Sequence, residues 1–413
     1  MSESGACVGC LRRSWLLALL GPYLEKTATG SVGRRSPELL RLGNDDLVEV
    51  VVPNSADDLL GRVAALDESW MVGRLEAAGC WALCRHDDRY PPGLRDAADA
   101  PWALIGRGSR ALLCDLEPQA AVTIVGSRRA TTYGREVARE LGREVGAAGL
   151  VVVSGLAFGI DACAHRGALD AGRLTIAVLG CGPDRPYPAA HRSLWRQVGE
   201  TGAVVSELPP GSTPWKWTFP ARNRIMAALA GMTVVVEAAS RSGSLITADL
   251  AAELGRDLGA VPGPVTSRAS AGPNELLAGG ACVVRGGQDV LDAMLGVGVR
   301  KLVRTGPPID AELASVLVAV ESGAPAADAG VDRLGPGVAD SAPLVVTADA
   351  VAAALDLSPG RASAALARLE LLGYLAATPV GTLTRTLLAP PVENGGAVDP
   401  PAPAPHLGSG NDG

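Results

Sequence analysis

The stretch STPWKWTFPARNR, residues 212–224, carries Lys216, Arg222 and Arg224 and no acid. Arg222, Asn223 and Arg224 fall in the first turn of an apolar helix that opens near Pro220. Cations are the wrong sign there, because the free N–H groups of a helix start already present positive charge. An anion beyond the helix end would justify them. Trp215, Trp217 and Phe219 interleave with the cations. Basic groups that track phosphates, beside aromatic faces on which bases stack, are the components of a single-strand binding site. The competing reading packs the aromatics as core and pairs the arginines with Glu207 or Glu237, Arg224 in particular.

Four other loops offer related chemistry. In VGSRRATTYG, Gly126 lets a ligand approach the backbone, Ser127 and the following helix N–H groups can cradle a phosphate, and Arg128 supplies a planar fork for it. In SGLAFGIDACAH, Gly155 and Gly159 permit close backbone approach, and Asp161 reads as a partner for a helix N-terminus. His165, one turn later, reads as a structural histidine, as does His191 of LGCGPDRPYPAAHR. Tyr187 of the latter loop either stacks or packs. In EAASRSGSLITADL, Ser240, Ser242, Gly243 and Ser244 surround a helix start with Arg241 nearby, a second phosphate cradle. Glu237 ends the preceding strand and could orient an arginine. The expected phosphate-contacting set is therefore Gly126, Ser127, Arg128, Lys216, Phe219, Arg222, Asn223, Arg224, Ser240, Ser242, Gly243 and Ser244. Gly155, Gly159, Asp161 and Glu237 are expected to shape the pocket.

Catalytic chemistry finds no comparable support. No Ser–His–Asp arrangement is evident, nor a GxGxxG followed by an acid about twenty residues on. Cys7 and Cys10 form a CxxC and Cys80 and Cys84 a CxxxC, neither followed by a second Cys/His pair at zinc-finger spacing. No catalytic residue, metal or cofactor is expected.

Those loops need a scaffold. Short apolar runs (AVTIVGS, GLVVVSG, LTIAVLG, AVVSE, MTVVVEA, LGAVPG) alternate with amphipathic helices between residues 119 and 297. This βαβα alternation implies a doubly wound, mainly parallel sheet, which binds ligands beyond the C-terminal strand ends. The loops above all leave such ends. Residues 1–75 read as a helical domain and 76–118 as an α/β lead-in. Residues 305–390 read as a winged helix-turn-helix, with a Gly/Ala/Pro/Asp-rich insertion at 323–343; the Pro/Gly-rich tail at 391–413 is expected to be disordered.

Composition narrows the class. The formal charge of −7 excludes a globally basic nucleic-acid binder but leaves room for a local basic stripe. No stretch reaches the roughly 20 apolar residues of a membrane span, and no signal peptide is convincing, so a cytoplasmic protein is expected.

Taken together, TIVGSRRATTYG, VVSGLAFGIDACAHRGAL, TIAVLGCGPDRPYP, SELPPG, FPARNRIMAALA, VVVEAASRSGSLITADLAAELGRDLGAVPG and GPNELLAGGA closely resemble the DprA/Smf family of bacterial DNA-processing proteins, in order across about residues 85–295. The resemblance implies an extended Rossmann-like domain that dimerises, flanked by a sterile-alpha-motif-like helical domain and a winged helix. It implies a cytoplasmic, non-enzymatic protein that protects single-stranded DNA and helps load the RecA recombinase during natural transformation. It also assigns strand contact to Arg128, Lys216, Phe219, Arg222 and Arg224, with Ser127, Asn223 and the SRSGS loop lining the same pocket. Phe158 departs from the SGLARGID pattern of many members, so no phosphate role passes to it. Two alternatives remain at this stage: a nucleotide phosphoribohydrolase of the LOG type, and a nucleotide-sensing winged-helix regulator.

Overall fold

The computed structural model describes residues 5–28, 39–95, 97–298, 307–321 and 348–372, with short pieces at 304–305, 374–377, 383–385 and 388–389. The 323–343 insertion and the 391–413 tail lie outside the described residues. Residues 1–302 form one packed unit and 303–413 a second.

The first unit is built on nine strands: β1 (Trp81–Cys84), β2 (Ala103–Gly108), β3 (Ala121–Val125), β4 (Val151–Ser154), β5 (Thr175–Val178), β6 (Ala203–Ser206), β7 (Met232–Val235), β8 (Asp257–Ala260) and β9 (Cys282–Val283). Their order across the sheet is β1-β2-β6-β5-β4-β3-β7-β8-β9. The β3–β9 strands pair in parallel, whereas β1 and β2 join antiparallel at one edge. The sheet is thus the doubly wound, mainly parallel α/β arrangement. Strands β3 to β7 are buried on both faces, which is why they read as unbroken apolar runs rather than alternating ones. One face carries a core of Val125, Val153, Ile176, Val205, Ile225 and Leu229. The other carries Val122, Ile124, Leu141, Val145, Val152 and Val234.

The chain leaves β3 in one direction for β4, β5 and β6 and returns to its other side for β7. The β3/β7 boundary is therefore the topological switch point, where loops diverge and a crevice opens beyond the strand ends. The helices there are set by local chemistry. Thr131 caps helix Thr132–Ala147 by accepting the Gly134 N–H at 3.1 Å, and Ala138, Leu141 and Val145 place one face against the sheet. Helix Thr218–Leu229 is pinned over β3 by the Thr123 hydroxyl, which donates to the Met226 carbonyl at 2.8 Å.

Four N-terminal helices, Val8–Ala28, Asn44–Val51, Ala56–Ala64 and Glu68–Ala77, pack onto this unit. Leu16, Leu17, Leu20 and Leu24 meet Leu47, Val48, Leu59 and Val63 on one side and Leu208, Trp217 and Ala221 on the other. In the second unit, helices Ala311–Glu321, Ala348–Leu355 and Pro359–Leu371 enclose Leu313, Val316, Leu317, Val351, Leu366 and Leu369, followed by an antiparallel strand pair, Leu375–Ala377 with Leu383–Arg385. Arg361 and Arg368 on its last helix pair with Glu312 at 2.6 Å and Asp310 at 3.4 Å.

Candidate functional site

At the switch point lies a cleft of about 700 Å³, lined by the loops that follow β3, β4, β7 and β8 and by the start of helix Thr218–Leu229. Five arginines face it (Arg128, Arg129, Arg222, Arg241 and Arg268) against a single carboxylate, Asp161. The N-terminus of helix Gly243–Glu253 opens into it and adds donor groups and partial positive charge. The cleft lining therefore carries a net positive charge.

The loops are laced across the switch point. The Ser127 N–H donates to the Glu237 carbonyl at 2.6 Å, and the Ser244 hydroxyl donates to the Gly126 carbonyl at 2.9 Å. The Asn223 amide donates to the Gly243 carbonyl at 3.1 Å. Ser127 Oγ accepts the Arg129 N–H at 3.1 Å, and Ser242 caps its helix by accepting the Ser244 N–H at 3.3 Å. These polar residues first hold the cleft's shape. Gly126 and Gly159 allow the lacing: a Cβ on Gly126 would meet the Glu237 carbonyl and Ile160, and Gly159 sits at φ +76° against Ser127.

The floor is a buried ion pair. Arg222 Nη2 stands 3.6 Å from Asp161 Oδ2, while Arg222 Nη1 donates to the Val178 carbonyl at 2.9 Å. The Gly155 and Ala157 N–H groups donate to the same Asp161 oxygen at 3.2 and 3.4 Å. Burial pushes the Asp161 carboxyl up and the Arg222 guanidinium down, and each partner's charge opposes that shift. A Cβ on Gly155 would fall on the Arg222 guanidinium, so the glycine makes the pairing possible.

An aromatic rim stands above. The Arg128 guanidinium lies 4.7 Å from the centre of the Phe219 ring, and Tyr187 packs on Phe219 at 5.7 Å. Phe158, 46% exposed, meets the His191 ring edge-on at 4.7 Å. His191 Nδ1 donates to the Leu156 carbonyl at 2.9 Å, bracing a buried leucine held at φ +55°.

The family model described as DNA recombination-mediator protein A matches residues 81–295, which hold the whole sheet and the cleft. The chain belongs to this DprA/Smf family. The DNA processing protein DprA of Streptococcus pneumoniae is 44% identical over 209 residues, covering 50% of this chain and 71% of that protein. The Bacillus subtilis DprA is 30% identical over 296 residues, covering 71% of this chain and 96% of that one. The X-ray structure of the S. pneumoniae protein superposes with a TM-score of 0.55 at 34% identity, over 68% of this chain and 95% of that one. The nine-stranded sheet is thus the DprA scaffold.

Within it, the structure brings Gly126, Ser127, Arg128, Phe219, Arg222, Asn223, Ser240, Ser242, Gly243, Ser244 and Asp161 to one cleft. Two of the expected phosphate contacts are elsewhere. Arg224 is 2% exposed and points away from the cleft, donating to Glu207 at 2.7 Å with Asp99 at 3.8 Å. Lys216 is at the surface outside the lining, its ammonium 4.0 Å from Glu25, whose carboxylate accepts the Lys216 N–H at 2.8 Å. Trp215 and Trp217 serve as packing rather than base platforms. They bury against the N-terminal helices, and Trp217 Nε1 donates to the Gly21 carbonyl at 3.1 Å. Glu237 orients no arginine; its carboxylate accepts from the Thr131 N–H at 2.9 Å and from the Thr131 hydroxyl.

Two cleft arginines were not anticipated. Arg129 follows Arg128 directly, and Arg268 comes from GPVTSRAS after β8, a loop with the same Gly/Ser/Arg composition as the others. His165 is structural: its Nδ1 lies 2.7 Å from the Thr175 hydroxyl, and burial pushes its pKa down to about 3. The CxxC at Cys7 and Cys10 does acquire a second pair, from Cys84 and His86, outside the cleft lining. No described helix is long and apolar enough to cross a membrane.

Proposed function

We propose that this DprA/Smf chain binds single-stranded DNA in the switch-point cleft. The carrying observation is five inward-facing arginines against one carboxylate, beside the Arg128–Phe219 stack. Phosphates are met by Arg128, Arg129, Arg241 and Arg268 and by the helix N-terminus at the Ser240–Ser244 loop, while Phe219, Pro220 and Ile246 offer apolar surface to unpaired bases. A duplex keeps its bases stacked inside and gains little from that surface. Arg222 contributes as the buried floor, fixed by Asp161. With Asp161 engaged by Arg222 and two N–H groups, no other carboxylate lines the cleft among the described residues to serve as a base, which disfavours a phosphoribohydrolase.

The family's description as recombination mediators supports the wider reading: a cytoplasmic homodimer, paired through the Rossmann-like domain, that shields incoming strands in natural transformation and helps RecA nucleate on them. In the same reading residues 1–75 and 305–390 are the sterile-alpha-motif-like and winged-helix domains. The test compares a labelled oligothymidylate with a duplex of equal length by fluorescence anisotropy, with and without residues 305–413. Tighter binding of the single strand by both forms supports the cleft. Duplex preference, lost with the C-terminal unit, refutes it in favour of a winged-helix regulator. Stimulation of RecA filament formation on the same oligonucleotide tests the mediator role.

A further inference from the structure

Cys7 immediately precedes helix Val8–Ala28, and Cys10 follows one turn later on the same side. Cys84 ends β1, and His86 lies in the turn just beyond it. The fold draws these two sites together through a shared apolar cluster of Cys10, Leu11, Trp15, Met71, Leu75, Cys84 and Ile105. The four potential ligand atoms lie within 4.8 Å of one another.

The separations have a definite meaning. His86 Nδ1 is 3.5 Å from Cys7 Sγ and 3.4 Å from Cys10 Sγ. A tetrahedral zinc with Zn–S of about 2.3 Å and Zn–N of about 2.0–2.1 Å places each sulfur about 3.5 Å from the nitrogen. A thiol hydrogen bond would explain one such contact, since Nδ1 has one lone pair to accept with. It does not explain two equal ones. None of the four groups is in a disulfide. The Cys7 N–H is directed at Cys84 Sγ at 3.4 Å, an outer hydrogen bond of the kind that steadies a metal-bound thiolate. Cys10 and Cys84 are buried, whereas Cys7 and His86 reach the surface and leave a path for an ion.

We propose that Cys7, Cys10, Cys84 and His86 form a structural zinc site. Three thiolates and an imidazole complete a tetrahedron and leave no open position, the pattern of a structural rather than a catalytic site. The site staples the start of the first helix to the end of β1. That helix also backs the basic segment beside the cleft, through Trp217 on Gly21 and Glu25 on the Lys216 N–H. The metal therefore anchors the N-terminal helices to the sheet and stands apart from the DNA-binding reading.

The test uses the full chain purified with reductant and without chelator or affinity metal. Elemental analysis should find one zinc per chain, falling to none in the Cys7→Ser/Cys10→Ser variant. To separate metal loss from misfolding in that variant, wild-type protein stripped of metal is also titrated with cobalt(II). The expected result is the intense visible spectrum of tetrahedral cobalt with thiolate charge-transfer bands, red-shifted in His86→Cys, where a fourth sulfur replaces nitrogen. Purified chain without zinc, together with a stripped chain that gives only the weak spectrum of hydrated cobalt, overturns the proposal. So does a Cys7–Cys10 disulfide whose reduction restores no cobalt binding.

Discussion

Four of the cleft arginines, Arg128, Arg129, Arg241 and Arg268, form no ion pair with a described carboxylate, whereas Arg222 is engaged by Asp161. If each of the four meets one phosphate, the logarithm of the binding constant should fall with the logarithm of salt at about −0.7 per contact for a single strand, or about −2.8 in all. Raising salt fourfold, from about 50 to about 200 mM, should then weaken binding about 50-fold. Arg128→Ala should reduce the slope to about −2.1 and the weakening to about 20-fold. It should also lower affinity at every salt concentration, since the cation over Phe219 is lost with it. The assay is anisotropy of a labelled oligothymidylate at four salt concentrations, repeated for Arg241→Ala. The wild-type slope sums every phosphate contact the chain makes anywhere, so the difference between wild type and variant is the decisive quantity. Slopes unchanged in both variants would refute the cleft as the DNA path, however tight the binding.

Arg224→Ala should behave in the opposite way: removal of the buried partner of Glu207 costs about 3–5 kcal/mol in thermal unfolding, while at low temperature the salt slope stays at the wild-type value. Gly155→Ala forces the Arg222 guanidinium aside; about 1–3 kcal/mol of stability should be lost in urea unfolding, together with oligothymidylate affinity. His165 is held neutral by burial, its folded pKa about 3 against an ordinary 6.5. Its contribution is therefore fully present above pH 6.5 and lost as pH falls towards 3, at about 1.4 kcal/mol per unit. His165→Asn should flatten that dependence, so that unfolding free energies of wild type and variant converge by about 3 kcal/mol between pH 7 and 4.5.

The parallel strands were legible because burial on both faces leaves mostly Val, Ile and Ala, with a few Thr, Ser and Met, a pattern that survives without any knowledge of neighbours. The loops that line the cleft were legible for a related reason, since Gly, Ser and Arg recur at several strand ends. Arg222 and Arg224 show where local reasoning stops. Two positions apart on a helix they point in nearly opposite directions, about 200° around the axis. The structure sends one to the cleft floor and the other to Glu207. The Arg224–Glu207 pair is the one the competing reading offered, whereas Asp161, in the first turn of the helix after β4, was not foreseen as the partner of Arg222. Trp215 and Trp217 misled because nothing local distinguishes an aromatic that awaits a base from one covered by another helix; the cover is the first helix at Gly21, 196 residues before Trp217. Cys84 and His86 were likewise invisible as partners of Cys7, lying 77 and 79 residues from it.

The cleft has no continuous segment of its own. Arg128, Arg241 and Arg268 come from loops on both sides of the switch point and Arg222 from helix Thr218–Leu229, and hydrogen bonds from Ser127 and Ser244 join those sides. On the proposed function, a strand lying across them is held only by a completed sheet and let go by any opening between β3 and β7. By mass action such a ligand stabilises the native state in proportion to the logarithm of its concentration. On the same proposal, the growing polypeptide holds no DNA in this cleft until Arg268 has emerged. From then on a strand bound there would act as a clamp on the fold that binds it.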